Sequence, residues 1–386
     1  MPASVGLVVI GLVISFVGPD VGLPIPPALL LAIVLPGLVF EAAFRTDPAV
    51  LRPAAVVVLV LAIPGVLVVA AVVALILSAT TQLTLTEGFL VGAMVAATDP
   101  AAVLSTFRRV VVPARLSTMV EMESVVNDGT GIVLFTVALD LLAGAGSPAG
   151  SVLAFVVRVA GAGVVGIGAG LVAARAVRRV DDHRAELRIT VVLAYGTYLV
   201  SEAIGMSGVI ATLVAAGTFG AAARSGLTPR AVEAIDIVWE FAAFLLTAGV
   251  FLLVGLSIAP ATLSLAAGAI GWGIIAILVG RAVVVYGLIG AGTRLFDRVM
   301  PGRSGKAGED GGRSVPVAWL HVVFWAGLRG AVSVALALSL PADLPNRELI
   351  SGLTFGIVLF TLIVQGSTTG WVVRRSGAAS GSAAPA

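Results

Sequence analysis

The chain has 386 residues, of which 59% are hydrophobic and only 11% charged, with a formal net charge of +2 and a mean hydropathy of +1.12. Soluble domains average about 45–50% apolar and 25% charged residues, so these values exclude a water-soluble enzyme and indicate a polytopic membrane protein. Cysteine is absent, and His183 and His321 alone supply imidazole, which argues against disulfides, thiolate metal sites and a zinc or haem enzyme.

Apolar runs long enough to cross a bilayer separate at Pro, Gly and charge clusters, roughly twelve in all. They cover 4–18, 27–44, 54–77, 87–107, 115–143, 151–177, 187–203, 206–223, 233–257, 264–293, 315–340 and 349–373. The first run lacks a basic n-region and a small-residue cleavage site, so it reads as a spanning helix and not a signal peptide. Ile204-Gly205-Met206 divides two short spans. The fold class expected is an all-α polytopic membrane protein.

Charge placement orients these spans. Connections after even-numbered spans carry Arg45 and Arg52; Arg108, Arg109 and Arg115; Arg175, Arg178, Arg179 and Arg184; Arg224 and Arg230; Arg294, Arg298, Arg303, Lys306 and Arg313; then Arg374 and Arg375. Connections after odd-numbered spans carry Asp20, Glu87, Glu202, Asp343 and Glu348, with Arg347 their single base. The positive-inside rule places both ends in the cytoplasm. Arginines confined to helix ends give no reason to expect nucleic acid as a partner. The Gly-rich loop Gly302 to Arg313 and the tail Ser376 to Ala386 are too short to fold alone, so the transmembrane unit is expected over 1–375. Gly166 and Gly170 form a small-xxx-small pair suited to close helix packing.

Polar residues inside the spans carry the chemistry. In span two, Glu41 lies near the cytoplasmic end, either lining a funnel or sitting among headgroups, and Glu240 in span nine shares that ambiguity. Span four contains Thr98-Asp99-Pro100; the proline removes a donor and disfavours helix at Asp99, so a break near mid-membrane is expected. Broken helices expose carbonyls and amides that bind ions near the midplane. Span five contains Glu123-Ser124-Val125-Val126-Asn127-Asp128. A mid-helix Asp costs roughly 2.5–3.5 kcal/mol on insertion scales, and such groups mark ion pathways. Ser124 and Asp128 are four apart on one face, as are Glu123 and Asn127, whereas Glu123 and Asp128 diverge by roughly 140°. Asp128 with Ser124 then offers an oxygen-rich ion site, and Glu123 needs a separate cation. Arg281, alone in its apolar run, is the first candidate, because a buried guanidinium cannot deprotonate. Arg329, in Gly327-Leu328-Arg329-Gly330-Ala331-Val332-Ser333, is the second; its glycines suggest another irregular helix mirroring span four. Arg158 is expected to snorkel to the outer interface.

Taken together, Leu35–Phe44, Thr98-Asp99-Pro100, Glu123–Asp128, Arg281 and Gly327–Ser333 occur in an order that resembles the monovalent cation:proton antiporter-1 family, the sodium/proton antiporters of bacterial NhaP type. The resemblance implies an inverted-repeat fold with two crossed discontinuous helices, here spans four and eleven. It implies a core domain over about 54–143 and 233–373, with the remaining helices mediating a homodimer in the inner membrane of a bacterium. It implies Na+ ligation by Asp128, Ser124 and the Thr98 backbone, with help from Glu41 through water. Asn127 and Asp99 would shape the crossing, Glu123 and Arg281 would form a structural ion pair, and Arg329 and Ser333 would support them. Family members usually carry thirteen spans, so the first is expected to be missing here. Thr247 stands where relatives often have Asn.

A carboxylate that binds either a cation or a proton couples the two fluxes by competition, since the bare anion is penalised by desolvation. With Asn127 beside Asp128, one titrating group implies electroneutral one-for-one exchange of Na+ for H+ with no cofactor. A K+/H+ antiporter is the alternative within the same fold. An intramembrane aspartic protease using Asp99 and Asp128 leaves Ser124 and Arg281 without a role, and a sensor would be expected to carry an output domain.

Overall fold

The computed structural model describes residues 3–17, 27–144, 147–179, 182–223, 227–258, 260–292 and 315–379. Asp20, Arg224, the basic residues from Arg294 to Arg313, the loop Gly302 to Arg313 and the tail beyond residue 379 lie outside the described residues.

Every apolar run is mainly helical over its described residues, some with interruptions, and those residues contain no strand. The first two helices are α1 (Ala3–Val17) and α2 (Pro27–Arg45). The run at 54–77, expected as one helix, is two: α3 (Pro48–Ala62) and α4 (Pro64–Thr80). Pro64 has no N–H to continue the ladder, and α3 starts ahead of the apolar run because Asp47 caps Ala49 N and Pro48 fills the first turn. Next come α5 (Leu85–Ala96), α6 (Ala101–Phe107), α7 (Ala114–Leu142) and α8 (Pro148–Val177). The seventh run holds α9 (His183–Val191) and α10 (Thr197–Ala203) around a π-helical turn, Val192–Gly196. Gly205, with φ +76°, separates α10 from α11 (Gly208–Ala223), the division expected at 204–206. Then follow α12 (Pro229–Ser257) and α13 (Pro260–Ala282), which continues as a π-helix over Val283–Ala291. The last runs hold α14 (Val317–Trp325), α15 (Ala331–Leu338), α16 (Arg347–Phe360) and α17 (Gly366–Ser376), with Thr361–Gln365 π-helical between the final two.

Among the described residues, seven helical segments are long and apolar enough to cross a membrane: Pro48–Thr80, Leu85–Phe107, Ala114–Leu142, Ala149–Val177, Arg230–Ser257, Ala261–Ala291 and Arg347–Ser376. Val5–Phe16 and Gly208–Ala223 are shorter apolar helices. This is an integral membrane protein by composition and by helix length. A count of twelve crossings is finer than these lengths carry.

The helices pack in two groups. Around the two breaks, α3 and α5 lie on α7, α4 on α5 and α13, and α16 on α13 and α5. In the second group α1 lies on α12, α2 on α11 and α12, and α8 on α11. Glu87 closes a capping box with Thr84 and also accepts from Asn346 Nδ2 at 2.9 Å, joining the starts of α5 and α16.

The α8–α11 contact explains the glycine pair. A Cβ on Gly166 would lie 2.5 Å from the Ala211 carbonyl oxygen, and one on Gly170 2.6 Å from that of Ala215. Backbones meet there because no side chain separates them. A Cβ on Gly163 or Gly168 would meet nothing within 4 Å. Gly166→Leu is therefore expected to destabilise by about 1–3 kcal/mol or more through overpacking, whereas Gly168→Leu should be neutral. Thermal unfolding in detergent distinguishes the two, and equal melting temperatures would refute the contact.

Candidate ion-binding site

The two interrupted helices meet at their breaks. Between α5 and α6, Ala97–Pro100 is unwound, and between α14 and α15 the chain is unwound over 327–330. Asp99 N donates to the Leu328 carbonyl at 2.8 Å, stitching one break to the other. The Asp99 carboxylate accepts from Ala101 N at 2.9 Å and also from Ala331 N, so one side chain caps the first turns of both α6 and α15. A Cβ on Gly330 would collide with that carboxylate, which is why glycine stands there.

Behind this crossing α7 presents its polar face. Thr98 N donates to Asn127 Oδ1 at 3.1 Å, and Asn127 Nδ2 donates to Thr98 Oγ1 at 2.7 Å. Thr98 Oγ1 also lies 2.9 Å from Ser124 Oγ, which donates to the Val120 carbonyl. Thr98, Ser124 and Asn127 are buried, and no backbone N–H is bonded to the Thr98 carbonyl. Asp128 is half-buried, in electrostatic range of Asp99, and its side chain has no hydrogen-bond partner among the described residues. Ser124 and Asn127 thus share the face toward the α5–α6 break, three residues apart, and Glu123 turns aside.

Glu123 meets Arg281. The guanidinium is bidentate, Nη1 on Glu123 Oε1 and Nη2 on Oε2 at 3.0 Å, with Nη2 also donating to the Val323 carbonyl at 2.8 Å. Both side chains are buried, so the pair joins α7, α13 and α14 in low dielectric. Gly327 lies over the guanidinium, where a Cβ would be 3.0 Å from Arg281 Nε. Between the two candidate partners the structure selects Arg281. Arg329 is buried close to both members of the pair; its N donates to Thr361 Oγ1 at 3.0 Å, and its Nε and Nη1 have no partner. Ser333 is buried with its hydroxyl unpartnered.

Glu41 stands apart from this group. Its Oε1 accepts from Arg45 Nη1 at 2.9 Å, and Arg45 reaches Glu240 at 3.4 Å. Glu121 and Arg108 are its further charged neighbours, near the start of α7. Arg158 donates to Thr136 Oγ1 at 2.6 Å and lies 3.5 Å from Asp140. Sequence reasoning missed Thr361 and the Arg45–Glu240 contact. Thr361 had one signal, a hydroxyl in an apolar run just ahead of Gln365-Gly366. No three His, Cys, Asp or Glu side chains gather as a metal site among the described residues. The site offers instead a carboxylate, hydroxyls and a free carbonyl, hard oxygen ligands suited to an alkali cation.

Residues 1–375 match the model of the sodium/hydrogen exchanger transmembrane family. The chain belongs to that family. It is 36% identical to the Na(+)/H(+) antiporter ApNhaP of Aphanothece halophytica over 98% of this chain and 70% of that protein. It is 34% identical to the low-affinity Na(+)/H(+) antiporter NhaS1 of a Synechocystis strain, over 97% and 69%. The fold matches the sodium proton antiporter MjNhaP1 of Methanocaldococcus jannaschii with a TM-score of 0.75 over 97% of this chain and 92% of that one, at 20% identity. These are relatives among membrane transporters, not enzymes.

The Glu123–Arg281 pair yields a stability test. Removing one partner strands a buried charge, at about 3–5 kcal/mol, and removing both costs less than the sum. Glu123→Gln and Arg281→Ala should each lower the melting temperature strongly, with a non-additive double variant. Strictly additive losses would show that the two do not interact.

Proposed function

We propose that this exchanger-family chain moves Na+ in exchange for H+ at Asp128, one for one, by alternating access. The observation that carries the reading is Asp128 itself. It is the carboxylate beside the crossing whose oxygens no donor among the described residues occupies, while Asp99 serves two backbone amides and Glu123 serves Arg281. Ligation is assigned to Asp128, Ser124 Oγ and the Thr98 carbonyl; Glu41 joins through water from the cytoplasmic approach. Asn127 holds Thr98 with both ends of its amide and adds no proton site.

Charge balance favours equal exchange. Three carboxylates (Asp99, Glu123, Asp128) face two guanidiniums (Arg281, Arg329) around the crossing, which leaves one negative charge when all are ionised. One monovalent cation or one proton brings the group to neutrality, and only the neutral forms cross the low-dielectric barrier cheaply. Asp99, committed to two helix starts, is a poor member of a protease dyad, and that favours transport over hydrolysis. The reading includes twelve crossings with both ends cytoplasmic and a homodimer in a bacterial plasma membrane. It places the moving core at about 54–143 and 233–373 and requires no cofactor.

Asp128→Asn is expected to abolish cation-dependent proton flux in proteoliposomes while leaving the melting temperature near that of the parent. Retained flux in the folded variant would sink the assignment. For the intact chain, potential clamped with potassium and valinomycin should leave the sodium/proton reversal point unmoved. A reversal point that follows voltage would establish unequal exchange, and proton flux driven by potassium in place of sodium would identify a K+/H+ antiporter.

A further inference from the structure

Far from the crossing, α8 and the α9–α10 segment enclose an open groove of about 530 Å³. Its walls are Val165, Ala169, Val172 and Ala176 on one side and Ile189, Val192 and Val200 on the other, and Arg188 stands at one end. The size falls in the range of small-molecule sites, roughly 300–1,000 Å³. Val165 to Ala176 extends about 16 Å along the helix axis. That is close to half of the ~30 Å hydrocarbon core, the depth of one leaflet.

Charge gives the groove a direction. Arg188 is exposed at the end where α8 finishes and α9 starts, together with the exposed Arg175, Arg178, Arg179 and Arg184. Two acids described near that end are otherwise engaged: Asp182 caps Arg184 N, and Glu186 is buried. Arg188 has no carboxylate partner among the described residues. A long cationic side chain lying along an apolar wall with its head at the interface is built to meet an anionic headgroup. By the positive-inside rule this is the cytoplasmic face.

We infer that the α8/α9–α10 groove is a binding site for an anionic phospholipid of the cytoplasmic leaflet. One acyl chain lies along Val165–Ala176 and the phosphate is held by Arg188 and its neighbouring arginines. The π-helical turn Val192–Gly196 shapes the inner end. Gly196 forms part of the wall, and a Cβ there would meet only Val192 Cγ1 at 3.8 Å, so the space belongs to the groove and not to a side chain. The site is separate from the ion ligands and does not depend on the transport assignment.

The test uses purified, delipidated full-length protein in detergent, with melting temperature and native mass spectrometry as readouts. Phosphatidylglycerol should raise the melting temperature by several degrees more than phosphatidylcholine of the same chains, and a retained lipid should appear in the mass spectrum. Arg188→Gln should abolish the headgroup preference. Gly196→Leu, or Ala169→Leu if the first folds poorly, should abolish retention. Arg52→Gln, an exposed arginine in the first turns of α3, should change neither, and soluble glycerol phosphate should give no shift. Equal stabilisation by both lipids in the parent would reduce the groove to ordinary lipid contact and overturn the inference. A phosphatidylglycerol effect that survives both groove substitutions would place the lipid elsewhere. Loss of dimer in Gly196→Leu without any lipid dependence would assign the groove to a second copy of the chain; either result also overturns it.

Discussion

A helix broken inside a bilayer exposes amides and carbonyls that hydrocarbon cannot satisfy, and the whole arrangement depends on how two such breaks satisfy each other. Asp99 is the answer at the N-termini of the two C-terminal halves. Its amide is taken by Leu328 of the opposite break, and its carboxylate closes the first turns of α6 and α15. A charge that would be costly alone is placed where two helix dipoles point positive. The cost of interrupting both helices is thereby reduced, and among the described residues no backbone N–H takes the Thr98 carbonyl, whose own hydroxyl meets Ser124 of α7.

The second requirement is rigidity around that opening. The Glu123–Arg281 pair supplies it by fixing α7 to α13 and, through the Val323 carbonyl, to α14. Desolvation makes a buried ion pair a poor source of stability, but a strong specifier of geometry when both charges are fully bonded. Arg281 comes close, with Nη1 and Nη2 bonded and Nε facing Gly327. Arg329 does not, since Nε and Nη1 lack partners in a fully buried setting. Its charge is set against Glu123, the anionic neighbour it shares with Arg281.

Much of this was legible in the residues. Pro100 after Thr98-Asp99 announced one break and the glycines of Gly327–Gly330 the other, because both signals act locally on the backbone. The helix-face argument separated Glu123 from Asp128 and pointed to Arg281. It also grouped Asn127 with Glu123, and here it was too coarse. The amide meets Thr98 beside Ser124, since a long side chain on a shared boundary follows whichever neighbour offers hydrogen bonds. The α3–α4 division carried a visible Pro64 but was hidden by an unbroken apolar run. The π-turns at Val192–Gly196 and Thr361–Gln365 had no comparable signal, for they arise from tertiary packing rather than from local sequence.

The transport proposed above would need one group of helices to slide on the other, and the contact surfaces differ in a way that suits it. Within the site group, hydrogen bonds and an ion pair cross every interface that positions Thr98, Asn127 and Glu123. Between the groups the contacts are largely apolar and close: Gly129 of α7 against Val209 and Ile210 of α11, and Phe44 of α2 stacked on Phe219. The directional contacts described between them sit toward the two ends, Thr46 on Met122 just past the C-terminus of α2 and Arg158 on Thr136 at the other. Apolar contacts resist separation but discriminate weakly among small shifts in register, whereas a bidentate ion pair tolerates almost none. The sequence therefore concentrates its directional bonds around the proposed ion site and leaves mainly dispersion and burial where the proposed movement would occur.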